Sequence, residues 1–182
     1  LTQLNTDGKL VNSLAEAMEP NAQATEWTIH LKKGVEFHNG KTMKAEDVVY
    51  TFHRITDPKA PMSGAAALKP LDLDNLKTVD DYTLKVPMKR PYAAFPECIS
   101  AYYYFGIVPT GYDPKNPVGT GAFKYKSFTP GQESVFDRFG NYWDANKPYL
   151  DQLTIIDSFG ADTAAFNALQ GGEVDIFAYA PL

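Results

Sequence analysis

Residues 26–58, EWTIHLKKGVEFHNGKTMKAEDVVYTFHRITDP, constrain this chain more than any other stretch, because strand, turn, helix and stop signals follow one another without a gap. Trp27, Ile29 and Leu31 alternate with Thr28, His30 and Lys32. That period of two places the apolar set on one face of a strand. Gly34 interrupts the run, and Val35 and Phe37 resume the alternation, so the segment reads as a hairpin. Asn39-Gly40 supplies the positive φ of a tight turn. From residue 45 the period becomes helical, with Val48, Val49, Phe52 and Ile55 on one side and Asp47, Thr51 and Arg54 on the other. Asp57-Pro58 ends the helix, since proline pushes the preceding residue out of the α region. Trp27 and Phe37 are predicted to bury against the 45–55 helix.

The rest of the chain divides in two. Thr6-Asp7-Gly8 reads as a turn between Leu1/Leu4 and Leu10/Val11, and Ser13 with Glu16 has the spacing of a capping box ahead of a single helical turn. Residues 59–75 are loop-like, with two prolines, a glycine and several small side chains. Tyr82, Leu84 and Val86 alternate after an Asp80-Asp81 turn, and residues 91–99 read as a short helix. The aromatic run 102–105 (Tyr-Tyr-Tyr-Phe) reads as a buried strand. Residues 109–118 hold three prolines and a glycine, the marks of a boundary between two lobes, 1–116 and 117–182. Beyond it lies a hairpin turning at Thr129-Pro130-Gly131. A strand at 153–156, a helix capped by Asp162, a Gly171-Gly172 stop and a strand at 174–179 then predict a right-handed parallel βαβ unit.

Motifs for chemistry are scarce. Gly119-Thr120-Gly121 is followed by a strand pattern rather than a helix, so it reads as a bulge or close backbone approach and not a phosphate loop. His30, His38 and His53 have no HxxxH or HExxH spacing, and no metal site is expected. Cys98 has no nucleophile context and, as the single cysteine, forms no internal disulfide. Glu46-Asp47 and Asp80-Asp81 suit a helix N-terminus and a turn better than acid–base work. No catalytic residue and no cofactor is expected. The formal charge of −5 comes without a basic stripe, which argues against nucleic acid. No apolar run is long enough to span a membrane as a helix. Leu1 in place of Met and the apolar end IFAYAPL read as a piece of a longer chain.

The ordered set LVNSLAEAMEPN, EWTIHLKKGVEFHNG, AEDVVYTFHRITDP, PVGTGAFKYKSFTPG, NYW and LQGGEVDIF resembles the bacterial extracellular solute-binding proteins of the oligopeptide, dipeptide and nickel transporter class. The resemblance covers essentially the whole chain and departs at Lys44, where the family usually carries a helix-capping Thr. It implies a periplasmic-binding-protein-like II fold, incomplete here: a hairpin-rich α+β lobe over 1–116, part of an α/β ligand-binding lobe over 117–182, and no opposing lobe. It implies capture of a peptide or similar small solute outside the membrane, and delivery to the permease subunits of an ABC importer. The protein would be periplasmic or at the cell surface, with any membrane attachment through a lipid anchor outside this chain. Two stretches match positions where the family touches ligand: Met62, Ser63 and Gly64, and Phe177, Ala178 and Tyr179. The same module is similar to the sensor half of some transcription regulators, an alternative that a DNA-binding helix-turn-helix upstream would favour. An enzyme would need a motif that the sequence does not offer.

Overall fold

The computed structural model describes residues 1–100, 104–157 and 159–177. Strand β1 (Thr2–Leu4) pairs antiparallel with β2 (Leu10–Asn12), and Gly8, with a φ of 73°, makes the turn between them as the sequence predicts. Residues 15–20 depart from expectation, forming strand β3 (Ala15–Pro20) rather than a helical turn. Met18, Glu19 and Pro20 lie opposite Ile29, Thr28 and Trp27 of β4 (Glu26–Leu31). An isolated helical turn fixes many dihedrals for one hydrogen bond. Pairing with a long neighbour gains a bond series and buries Ala15, so the strand wins.

Trp27, Ile29 and Leu31 of β4 are buried, as their spacing demands. Val35 and Phe37 are buried too, yet they do not form a second strand beside β4. A single bridge joins Glu36 to Thr42 across the Asn39-Gly40 turn. Both edges of β4 are already occupied, one by β3 and the other by a strand that arrives much later in the chain.

Helix α1 (Ala45–Ile55) buries Val48, Phe52 and Ile55, but it also buries Asp47 and Thr51, which the helical wheel had assigned to the solvent side. The reason is a third segment lying across that side. Thr51 Oγ1 donates to Asp47 O (2.7 Å) and accepts the Val108 N–H (3.1 Å), and Asp47 Oδ1 accepts both the N–H (2.8 Å) and the hydroxyl (3.0 Å) of Thr110. Lys44 cannot cap α1 with its own side chain. Asp47 instead accepts the Lys44 N–H through Oδ2 (2.9 Å), the return half of a capping box. Lys41 Nζ completes the cluster at 2.6 Å from Asp47 Oδ1.

Residues 59–75 are more ordered than their composition suggests, with 3₁₀ helices at Ser63–Leu68 and Leu73–Asn75 and with Leu68 and the intervening Leu71 buried. Strand β5 (Lys77–Asp80) and β6 (Thr83–Pro87) follow, giving a four-stranded antiparallel sheet in the order β3-β4-β6-β5. Its inward face meets α1 and the short helix α2 (Phe95–Cys98). Trp27 and Phe37 share this core with Val48, Phe52 and Ile55, as predicted. Trp27 lies 5.9 Å from Phe95, ring centre to ring centre, and its Nε1–H donates to Tyr92 O (3.0 Å). Tyr104 and Phe105 lie in a turn, not in the expected strand. Phe105 is buried and Tyr104 is exposed, because the segment rounds the end of the 63–68 helix instead of joining a sheet. Tyr102 and Tyr103 fall outside the described residues.

The second sheet is β7 (Phe123–Thr129), β8 (Glu133–Arg138) and β9 (Gln152–Ile156), antiparallel throughout. Gly131, at a φ of 68°, makes the predicted turn. Helix α3 (Asp162–Gln170) has Ala161 at its N-cap rather than Asp162. It buries Ala165 and Ala168, while Phe166 is half exposed. Gly172 adopts a φ of 73°; its N–H donates to Leu169 O (3.2 Å) and the Glu173 N–H to Ala168 O (2.9 Å), closing a Schellman motif. Among the described residues the expected parallel partner of β9 does not form: residues 174–177 are irregular, and 178–179 fall outside the described residues. Parallel pairs are normally covered on both faces, whereas all five residues of β9 are exposed.

Candidate functional site

The two stretches expected to touch ligand have different surroundings. After α1 ends, Asp57 Oδ1 accepts the Lys59 N–H (2.9 Å), and the Met62 N–H donates back to Ile55 O (3.0 Å). The loop is thereby folded onto the last turn of α1, and Met62 becomes the N-cap of the 63–68 helix. Met62 and Ser63 face solvent. Gly64 is buried, and a Cβ built there would stand 2.9 Å from Tyr104 Cβ and 3.2 Å from the Phe105 ring. Only glycine allows this approach, so the role of Gly64 is to let the Tyr104–Phe105 turn close on the loop.

Three residues that sequence reasoning did not single out join this stretch. Arg54 Nη1 approaches Met62 Sδ at 3.1 Å, and its guanidinium lies 4.8 Å over the Tyr112 ring. Tyr104 meets the stretch at Gly64, through its Cβ. Arg54, Met62 and Tyr112, with Ser63 next to Met62 in the chain, thus bring together one cation, a thioether, a phenol and a hydroxyl. Such groups stack on and hydrogen-bond to a solute, and none is a nucleophile paired with a base. Nothing in the sequence spacing announces the Arg54–Tyr112 contact, because its partners are far apart along the chain. The aromatic run and the proline-rich segment were the available signals.

Phe177 is half-buried and follows the Schellman turn of α3. Ala178 and Tyr179 fall outside the described residues. A cleft of about 490 Å³ lies beside the first stretch, but His53, Asp57, Ala65, Ala66, Lys69 and Leu71 are among its walls and Met62, Ser63 and Gly64 are not.

Two of the three histidines make contacts within the fold. His30 Nδ1 lies 3.4 Å from Thr83 Oγ1, and His38 lies against Gly119 and Gly121. The Cys98 thiol donates to Ala67 O (3.2 Å). Among the described residues no group of three or more His, Cys, Asp or Glu could hold a metal ion. The buried Asp47 carboxyl is shifted by its surroundings. Burial pushes its pKa up, but the bonds from Lys41, the Thr110 N–H, the Lys44 N–H and the Thr110 hydroxyl together outweigh burial and hold it below the ordinary carboxylate value.

Residues 9–182 match the family model described as bacterial extracellular solute-binding proteins, family 5, middle part. The chain is similar to the glutathione-binding protein GsiB of Pectobacterium atrosepticum, 30% identical over 95% of this chain and 34% of that protein. It is also similar to the periplasmic oligopeptide-binding protein OppA of Escherichia coli, 27% identical over 93% of this chain and 35% of that protein. Among solved structures, the PBP AgaA from A. tumefacien R10 in complex with agropinic acid superposes with a TM-score of 0.84 at 31% identity, over 95% of this chain and 36% of AgaA. AppA of Bacillus subtilis in complex with a nonapeptide gives 0.83 at 25% identity, over 96% of this chain and 36% of AppA. The chain spans about a third of the length of these relatives.

Proposed function

Because the chain belongs to the bacterial extracellular solute-binding proteins, family 5, we propose that it is part of the substrate-binding component of an ABC importer, taking up a peptide or similar small solute outside the membrane. Its fold is that of part of a type II periplasmic binding protein. The observation that carries the reading is the family match over residues 9–182, together with structural agreement with a solute complex at 31% identity. In this reading residues 1–116 are the extra α+β lobe and residues 117–182 contribute to the first ligand-binding lobe. The opposing lobe belongs to polypeptide outside these residues.

Ligand contact is assigned to Met62 and Ser63, with Gly64 behind them, and to Phe177, Ala178 and Tyr179. The exposed Met62 and Ser63 support the first set, as do the contacts of Arg54 with Met62 and Tyr112. The relatives named for binding glutathione and oligopeptides, and those solved with agropinic acid and a nonapeptide, favour a small polar solute carrying a carboxylate or amide backbone. Delivery to permease subunits and an exported location follow from the same family reading.

The test is mass spectrometry of solute released from the gently purified full-length protein, followed by calorimetry with that solute. Met62→Ala and Phe177→Ala should each weaken binding roughly fivefold or more, the cost of one lost apolar contact. A full-length protein that carries no solute and binds no peptide, amino-acid conjugate or metal chelate would overturn the proposal.

A further inference from the structure

His38 binds the second sheet to the first by a set of contacts that spans more than eighty residues of sequence. Its backbone N–H donates to Gly119 O (2.9 Å). Its Nδ1 accepts the Gly119 N–H (3.3 Å), and its Nε2 lies 2.9 Å from Gly121 O. The ring meets Phe139, just after β8, edge-on at 5.0 Å. Gly119 and Gly121 lead directly into β7, so these contacts hold the three-stranded sheet by its entry strand.

The partners dictate the ring's proton. Nδ1 faces a donor and must be bare, whereas Nε2 faces a carbonyl and must carry hydrogen. The neutral Nε2–H tautomer alone satisfies both. In the imidazolium the Gly121 bond survives, but Nδ1–H then points at the Gly119 N–H, donor against donor. Burial is the largest influence on the ring and disfavours its charge; the Gly121 carbonyl acts the other way, and Lys124 of β7 adds repulsion. Two carboxylates lie near this turn in the chain. Glu36 keeps its charge while accepting from the neutral Asn141 Nδ2 (2.9 Å), and Asp47 is paired with Lys41.

We propose that His38 is a proton-operated clasp: its neutral Nε2–H ring ties residues 119–121 to the 37–41 turn, and a second proton on the ring opens that tie before the core of the four-stranded sheet responds. Acid therefore loosens the entry to the second sheet at residues 119–121, while the Asn141–Glu36 bond and the Lys32–Trp143 contact remain. The device does not depend on which solute the protein carries.

Two measurements on the full-length protein test it. Long-range proton–nitrogen correlation at neutral pH should find hydrogen on Nε2 of His38. Amide exchange, corrected for its intrinsic pH dependence, should rise roughly three- to tenfold over residues 119–125 as the ring titrates, the loss of one neutral hydrogen bond. Exchange at Ile29 and Leu84 should not change. His38→Gln, whose amide can donate and accept but does not titrate, should abolish the acid step. Hydrogen on Nδ1, exchange at 119–125 that is flat through the titration, loosening that includes Ile29 and Leu84 equally, or an acid step that persists in H38Q would each overturn the proposal. Should H38Q fail to fold, the wild-type tautomer and exchange profile decide alone.

Discussion

Asp47→Ala tests the claim that one buried carboxylate joins three parts of the chain. Asp47 is fully buried, and it accepts from Lys41 Nζ, Lys44 N–H, and both the N–H and hydroxyl of Thr110. Removing it leaves the helix cap unmet, which costs about 1 kcal/mol. It also leaves the Thr110 donors and the Lys41 ammonium without their acceptor. Truncating one partner of a fully buried pair costs about 3–5 kcal/mol. Here the Lys41 side chain is 34% exposed and Thr110 reaches water, so the lower end applies, about 3 kcal/mol in total. At a urea m-value of about 2 kcal/mol/M the midpoint should fall by roughly 1.5 M. Thr110→Val should cost only about 1 kcal/mol, because it removes one donor and leaves the carboxylate its other partners.

The same residue gives stability a pH dependence of known sign. Its carboxyl titrates lower in the fold than in the unfolded chain, so between the two values the unfolded chain binds more protons. Its contribution is complete above about pH 4, the unfolded value, and is lost as pH falls through the lowered folded value. The acid limb of the stability curve should therefore be shallower in D47A. A urea midpoint within about 0.3 M of wild type at neutral pH, or an unchanged acid limb, would refute the reasoning.

Trp27→Ala removes a buried indole from the contact with Phe95 and its bond to Tyr92 O, and should cost about 3–5 kcal/mol; a wild-type denaturation midpoint would contradict the packing described. Gly64→Ala forces a methyl to 2.9 Å from Tyr104 Cβ and should destabilise by about 1–3 kcal/mol, measured by thermal unfolding, unless the 104–105 turn moves freely. Residues 1–182 alone should bind solute no better than millimolar, since a binder that encloses its ligand from two sides loses about half of a micromolar interaction of about −8 kcal/mol with one side gone. Calorimetry showing micromolar binding by these residues would mean that the site is complete within them. The exposed Tyr125, Phe128, Leu153, Ile155 and Ile156 of the second sheet should make the same chain self-associate, visible as a rising sedimentation coefficient with concentration.

The sequence by itself determined those elements whose signal is local. The β4 alternation, the apolar face of α1, the β7–β8 hairpin and the turns at Gly8, Gly40 and Gly131 all follow from side-chain period and from which residue tolerates positive φ. The ordered motifs of the whole chain also carried the family. Partner choice was decided by the tertiary structure. Residues 15–20 became a strand because β4 offered them an edge, and 35–37 did not because both edges of β4 were filled. Asp47 and Thr51 sit at helical positions that a solvated face would also occupy; only the arrival of Val108 and Thr110, 57 and 63 positions away, turns them inward. His38 and the Arg54 contacts are illegible for the same reason. A periodicity reports which face of an element is apolar, whereas a hydrogen bond between distant segments depends on where the whole chain brings them.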